Sequence, residues 1–174
     1  MKNQYYFDQD LYDPLVTALE EESRLYQQMI TVIREKQDNI ISGDLDALRI
    51  CVGNEQQLIQ KARNAEKHRK QLVESIAVSK DIALDSPTLV DLIGIAPEPY
   101  HMQLKHIRKQ IHKTLNKMMG LNRENSLLLN TSLNHVHGMV QLFLSVNDDA
   151  PSTYTPQGTL DPREMATKVI DYRI

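Results

Sequence analysis

The chain has 174 residues, a formal net charge of −3 and 41% hydrophobic residues, which suits one globular domain or one domain with a tail. This charge gives no general attraction to nucleic acid or to anionic membrane, and a single cysteine excludes a fold that depends on an internal disulfide. Aromatic residues make up only 5%, so aliphatic side chains must fill the core, which favours helix seams over a β-sandwich.

The first two predicted elements form an antiparallel helical hairpin. Apolar residues at helical spacing predict helices over about residues 10–41 and 45–78. Between them, Ser42-Gly43-Asp44 supplies a glycine stop for the first helix and an aspartate N-cap for the second. So short a connection predicts that the two helices pack side by side in opposite directions.

The middle of the second helix has polar residues at positions that would pack against a neighbouring helix, where leucine is expected. Glu55, Glu66 and Arg69 occupy these positions of an otherwise regular heptad series. Two interpretations remain open: the seam shifts to neighbours such as Leu58 and Leu72, or a polar layer sets the register of the packing helices.

A crossover then leads into a third long helix. Ser86-Pro87 predicts the start of a short helix over about residues 87–93, closed by Gly94. Beyond Pro97 and Pro99, spacing of three and four predicts one helix over residues 100–147, which is long against the usual 11–12 residues. Its apolar series is Leu104, Ile107, Ile111, Leu115, Met118, Leu121, Leu128, Met139, Leu142 and Val146.

The two halves of this helix differ in charge. Between residues 100 and 123 it carries cations and no acid: Lys105, Arg108, Lys109, Lys113, Lys117 and Arg123. We expect the acidic cluster at the start of the chain to complement them, with Asp8, Asp10, Asp13, Glu20, Glu21 and Glu22. A nucleic-acid footprint or an acidic protein partner is the alternative.

The other half, residues 126–147, has no charged residue and carries a second apolar row. The row consists of Leu129, Leu133, Val136, Val140 and Phe143. An apolar face this wide predicts either a binding site for a helix of another protein or a seam inside the bundle or a homodimer. The half is too polar to span a membrane, and the first residues lack a signal-peptide run, which predicts a cytoplasmic protein without membrane insertion.

The last 27 residues, 148–174, are predicted to be a flexible tail because they begin with a polar stretch broken by proline and glycine. Asp161-Pro162-Arg163-Glu164 resembles a capping box, which predicts a latent amphipathic helix over about residues 162–173. Such a short helix would form only on an apolar surface. Its apolar face is Met165, Val169 and Tyr172.

The motifs of common catalytic sites are missing from the sequence. It has no glycine-rich phosphate loop, no paired-cysteine metal spacing and no nucleophile elbow. Glu98-Pro99-Tyr100-His101 has the spacing of a di-iron ligand pair, but it occurs once and at a proline-broken helix start. The sequence therefore predicts a protein that is not an enzyme and that uses no metal and no cofactor.

Three local patterns are similar to those of FlgN-type flagellar export chaperones. They are the stretch Leu25 to Met29, the pattern Asn122-Arg123-Glu124-Asn125-Ser126-Leu127-Leu128, and the tail Thr153 to Gly158. The order and length of the elements also resemble that family over nearly the whole chain. The tail departs from the family pattern at Pro156, which affects its local shape more than the function that the resemblance implies.

The predicted elements form an all-α fold, an elongated antiparallel bundle or coiled coil of three long helices with a short crossover helix and a flexible tail. The resemblance is consistent with this fold. It further implies a chaperone that holds hook-filament junction proteins through a helical segment near their C-terminus and delivers them to the flagellar type III secretion apparatus. By family analogy Tyr154 contacts the export gate. The alternative is a structural coiled-coil or adaptor protein that only forms a homodimer. We expect the client on residues 129–143 and expect the tail helix to compete for that face.

Overall fold

A computed structural model describes the backbone of residues 2–82 and 86–148 and the side chains of residues 11–82 and 86–145. It contains four helices: α1 at Lys2–Ser42, α2 at Leu45–Ser79, α3 at Leu89–Ile95 and α4 at Tyr100–Asp148. The described residues form no strand, so the all-α prediction is confirmed. The chain divides into two units, Met1–Leu129 and Asn130–Ile174, and the boundary falls within α4.

The connection between α1 and α2 is the predicted tight turn. Gly43 has a φ of +71°, in the left-handed region that glycine adopts without strain. Asp44 caps α2 by accepting a hydrogen bond from the Ala47 amide at 2.9 Å. Across the hairpin, Lys36 pairs with Glu55, while Glu22 nearer the chain start pairs with Arg69. The two helices are therefore antiparallel.

The start of α1 differs from the prediction, because the helix begins at Lys2 and not near residue 10. An aspartate near a helix start is a local start signal, because its negative charge meets the positive end of the helix dipole. Asp13 instead lies well inside α1, and its carboxylate accepts a hydrogen bond from the Tyr100 hydroxyl at 2.7 Å. A carboxylate used in a tertiary contact resembles a helix-start signal when only the sequence is considered.

The short helix α3 also begins later than predicted. Its N-cap is Thr88, and Thr88 and Asp91 form a complete capping box. The Thr88 hydroxyl donates to Asp91 Oδ2 at 2.6 Å, and the Thr88 amide donates to the same oxygen at 2.9 Å. These two hydrogen bonds hold the pKa of Asp91 below its ordinary value. A box with two reciprocal bonds sets the helix start, whereas Ser86-Pro87 stays outside it. Gly94 lies within α3.

The core of the first unit consists of two apolar clusters separated by a polar layer. In that layer Arg69 Nε donates to buried Glu22 at 2.7 Å, and the Tyr26 hydroxyl donates to Glu22 at 2.8 Å. Both open interpretations of the polar seam are thus partly correct, because Leu58 and Leu72 also pack against the clusters. The first cluster contains Tyr12, Leu15, Val16, Leu19, Val73, Ile76, Leu92, Ile93, Tyr100, Leu104, Ile107 and Ile111. The second contains Met29, Ile33, Ala62 and Met118.

A second polar layer follows the smaller cluster. Lys36 Nζ lies 2.6 Å from Glu55 Oε2 and also donates to Asn122 Oδ1 at 3.4 Å. Next to it, Asn125 Nδ2 donates to the Ile33 carbonyl oxygen at 2.9 Å. Since Tyr100 contacts Asp13 and Asn125 contacts Ile33, this part of α4 runs parallel to α1.

Candidate functional site

The face of α4 that packs in the first unit has a regular spacing. Leu104, Ile107, Ile111, Met118 and Asn125 recur at steps of three, four and seven residues, and all are buried. Such steps return to the same side of a helix with 3.6 residues per turn. These positions therefore define the seam of α4.

The same steps continue into the predicted second row. From Asn125 the next positions are 129, 133, 136, 140 and 143, at steps of four and three. The second row is thus the continuation of the α4 seam. The other series, through Met139 and Leu142, lies beside it, which reverses the order that we assumed from the sequence.

The side chains of the second row are exposed. Within the first unit Leu129 is 39% exposed, and within the second unit Leu133 is 52%, Val136 51%, Val140 50% and Phe143 72% exposed. All five side chains are therefore exposed in the described part of the chain. Isolated exposed apolar residues are ordinary, but a contiguous row at helix-packing spacing is typical of an interaction site.

Another face of α4 in the second unit, roughly opposite the second row, is a shallow groove with both polar and apolar lining residues. Asn134, His135, Gly138, Gln141 and Ser145 line it together with Met139 and Leu142. A side chain added at Gly138 would meet nothing within 4 Å, and the same is true of Gly120 in the first unit. The helix runs through both glycines, and neither marks a close approach of another helix among the described residues.

Among the described side chains, the basic half of α4 forms no ion pair with the acidic cluster near the chain start. Asp13 accepts from Tyr100, Glu21 pairs with Arg24 and Glu22 pairs with Arg69. Among the side chains that the structure describes, none of the six α4 cations has an acidic oxygen within ion-pair distance. Asp8 and Asp10 belong to the cluster too, but their side chains lie outside the described residues.

Each displaced pKa in the first unit has a structural cause. Burial raises the pKa of the Tyr26 phenol, and its hydrogen bond to Glu22 adds to the effect. Burial likewise raises the pKa of the Cys51 thiol. A hydrogen bond from Lys70 lowers the pKa of Glu66, and one from Thr88 lowers that of Asp91. These shifts are accounted for by burial between helices, an ion pair within α2 and the cap of α3.

Sequence reasoning missed that Asn125 belongs to the seam. It is 2% exposed, and its Oδ1 has no hydrogen-bond partner within the described part of the chain. The available signal was its spacing of seven from Met118 and four from Leu129.

Four predicted site residues lie outside the described part of the chain. Met165, Val169 and Tyr172 belong to the predicted tail helix, and Tyr154 belongs to the segment before it. Their assignments remain predictions from the sequence.

Comparisons with known proteins identify one family. The family model for FlgN protein matches residues 11–162, which is most of the chain. Neither the curated proteins nor the solved structures that were searched give a match. None of the helices in the described segments has a stretch apolar enough, at sufficient length, to cross a membrane. The family match confirms the resemblance noted in the sequence, and the chain belongs to the FlgN family of flagellar export chaperones.

Proposed function

We propose that this chaperone works in the cytoplasm, binds hook-filament junction proteins through a helical segment near their C-terminus, and delivers them to the flagellar type III export apparatus. Family membership supports the general role. The observation that carries the finer proposal is the exposed continuation of the α4 seam, from Leu129 to Phe143.

The chemistry of this row fits an amphipathic client helix. Its positions recur at steps of four and three, the spacing with which one helix packs along another. No formal charge lies between residues 126 and 147, so an apolar client face would meet no charge that has to be desolvated. Fully burying an exposed leucine or valine side chain contributes roughly 1.5–3 kcal/mol. The side chains of this row are 39–72% exposed, so each gains part of that amount, and contacts along the whole row are needed to exceed the cost of association.

The central test is the double substitution Leu133→Ser and Val140→Ser. We expect client affinity to fall about 100-fold, since two apolar anchors are lost from the interface. The measurement is titration of a purified hook-filament junction protein by isothermal calorimetry. Circular dichroism should show retained helix, because both side chains are about half exposed in the free protein.

The matched control is Met139→Ser with Leu142→Ser. These side chains are 45% and 67% exposed and lie on the neighbouring series of the same helix. We expect this variant to keep client affinity within about threefold. Full affinity in the first variant, or an equal loss in both, would contradict the assignment of the client to the second row.

A second candidate function rests on the same exposed row. Its heptad-like spacing also suits a second copy of the chain, which would make the protein a structural coiled-coil homodimer. Light scattering of the protein alone and with the client separates the two. The chaperone proposal predicts a stoichiometric complex with the client. The structural alternative predicts a homodimer whose mass does not change when the client is added.

The predicted tail helix would regulate client binding by competing for the second row. If Met165, Val169 and Tyr172 cover the client face in the free protein, deletion of residues 159–174 should tighten client binding. Weaker binding in that variant would mean that the tail grips the client.

The export step has its own residue. If Tyr154 contacts the export gate, as family analogy suggests, Tyr154→Ala should leave client affinity unchanged and reduce secretion of the client into the medium. Unchanged secretion would make Tyr154 an ordinary linker residue.

A further inference from the structure

The basic half of α4 forms a second surface that the client face does not explain. Lys105, Lys109, Lys113, Lys117 and Arg123 are exposed, and Arg108 is half-buried. We refer to these six residues as the basic stripe. From Lys105 to Arg123 it covers 19 residues, and the rise between these two ends is about 27 Å at 1.5 Å per residue. All six residues belong to the first unit.

The stripe works against the stability of its own helix. Lys105, Lys109, Lys113 and Lys117 recur every four residues, so each lysine lies one turn from the next. Like charges at this spacing repel one another in a helix. Among the described side chains, Asp13, Glu21 and Glu22 of α1 pair elsewhere, and no acid forms an ion pair with the stripe that would offset this repulsion. Helix stability does not account for this pattern.

We propose that the basic stripe is the docking surface for an acidic amphipathic helix of a partner protein. Charge complementarity defines the occupant: a helix with Asp or Glu every four residues, about five turns long, would place one acid beside each lysine. Met102 and Met119 are 62% and 63% exposed near the two ends of the stripe. These flexible side chains provide apolar contacts at both ends of such a helix.

The side chains of the stripe distinguish this occupant from other polyanions. Single-stranded nucleic acid is held by aromatic side chains that stack on bases, and the stripe has none. Helices that bind membrane surfaces insert Trp, Phe or Leu beside their cations, whereas only two methionines accompany these. A ridge of cations at one-turn spacing therefore fits a second helix best.

The probe is a synthetic helical peptide of about 20 residues with Glu every fourth position and a leucine near each end. A shuffled peptide of the same composition, with no two Glu four residues apart, is the reference. In fluorescence anisotropy at low salt, we expect the ordered peptide to bind the full chain at least about tenfold tighter than the shuffled one. Equal affinity for the two peptides, or no binding of the ordered peptide, overturns the proposal.

Charge reversal tests the location. The variant Lys105→Glu, Lys109→Glu and Lys113→Glu should lose about tenfold or more in peptide affinity and should bind the corresponding lysine peptide instead. The matched control, Lys61→Glu, Arg63→Glu and Lys67→Glu, makes the same charge change at exposed positions of α2. Equal loss in the control would show that net charge alone attracts the peptide.

Two further arms compare other anions. Tighter binding to vesicles with about 30% phosphatidylserine, or to a single-stranded RNA of about 20 nucleotides, than to the ordered peptide overturns the proposal in favour of that ligand class. The variant Leu133→Ser with Val140→Ser should bind the peptide normally. Failure of the stripe and failure of the client face are therefore distinguishable.

Discussion

The two halves of α4 carry the same spacing of seam residues and differ in what covers them. Leu104, Ile107 and Ile111 are at most 9% exposed, whereas Leu133, Val136 and Val140 are at least 50% exposed. Residue type does not explain the contrast, since both sets are aliphatic and recur at steps of three and four. An amphipathic pattern makes a helix face suitable for packing, but the face is buried only where another helix lies against it.

The polar side chains show a second difference between the halves. The covered seam ends in a layer where Asn125 contacts Ile33 and Asn122 contacts Lys36. The exposed row beyond it contains only Leu, Val and Phe. Buried polar contacts favour one register of packing over others, so the covered half is committed to one arrangement and the exposed half is left suitable for a partner.

The largest expected effect comes from truncating the two seams at equivalent positions. Leu104→Ala removes a side chain with 0% exposure and should lower the free energy of unfolding by about 2–5 kcal/mol, through lost burial and the cavity left behind. Leu133→Ala, at 52% exposure, should change it by about 0.5 kcal/mol or less. Urea denaturation of both variants measures the difference, and equal destabilisation would show that the second half is covered in solution.

A smaller effect is expected where the two seams meet. Asn125→Leu removes a buried amide whose Oδ1 lacks a partner among the described residues and joins the covered seam to the exposed row. We expect the free energy of unfolding to stay within about 1 kcal/mol of wild type, because the lost hydrogen bond from Asn125 to Ile33 is offset by removal of an unsatisfied buried acceptor. The continuous apolar seam should also promote self-association, measured by sedimentation velocity. Asn125→Gln is the control, and a strictly monomeric Asn125→Leu protein would argue against a role in specificity.

The smallest expected effect is the dependence of the free energy of unfolding on acidic pH. The pKa values of Glu66 and Asp91 are lowered by hydrogen bonds from Lys70 and Thr88. Because their pKa values are lower in the folded state than in the unfolded state, their contribution is complete above the unfolded pKa. It is lost as the pH falls through the folded pKa.

The double variant Glu66→Gln with Asp91→Asn should therefore be less stable than wild type at neutral pH, and the difference should fade in acid. Urea denaturation over a pH series measures it. Residues 126–147 contain no carboxylate, so the difference in the free energy of unfolding between Leu133→Ala and wild type should be the same at every pH of the series. A constant gap for the Glu66 and Asp91 variant as well would contradict the assignment.

Much of the fold followed from local signals. The boundaries of α2 and α4 agree with the predictions to within a residue, because Asp44, the prolines before Tyr100 and long apolar series are strong local signals. The start of α1 and the cap of α3 were less predictable. Asp13 and Thr88 each had competing roles, and the choice depended on Tyr100 in one case and on the Asp91 carboxylate in the other.

The sequence by itself determined that the protein is helical, that the turn at Gly43 forms a hairpin, and that residues 126–147 are uncharged with an apolar row. Family membership was also visible in local patterns, and the family match confirmed it. Tertiary structure determined which apolar series of α4 packs in the core and that Glu22 pairs with Arg69. It also determined which seam residues of α4 are buried and which are exposed. The physical reason is that helix periodicity is encoded within one segment, whereas burial and ion pairing depend on side chains from helices far apart in the chain.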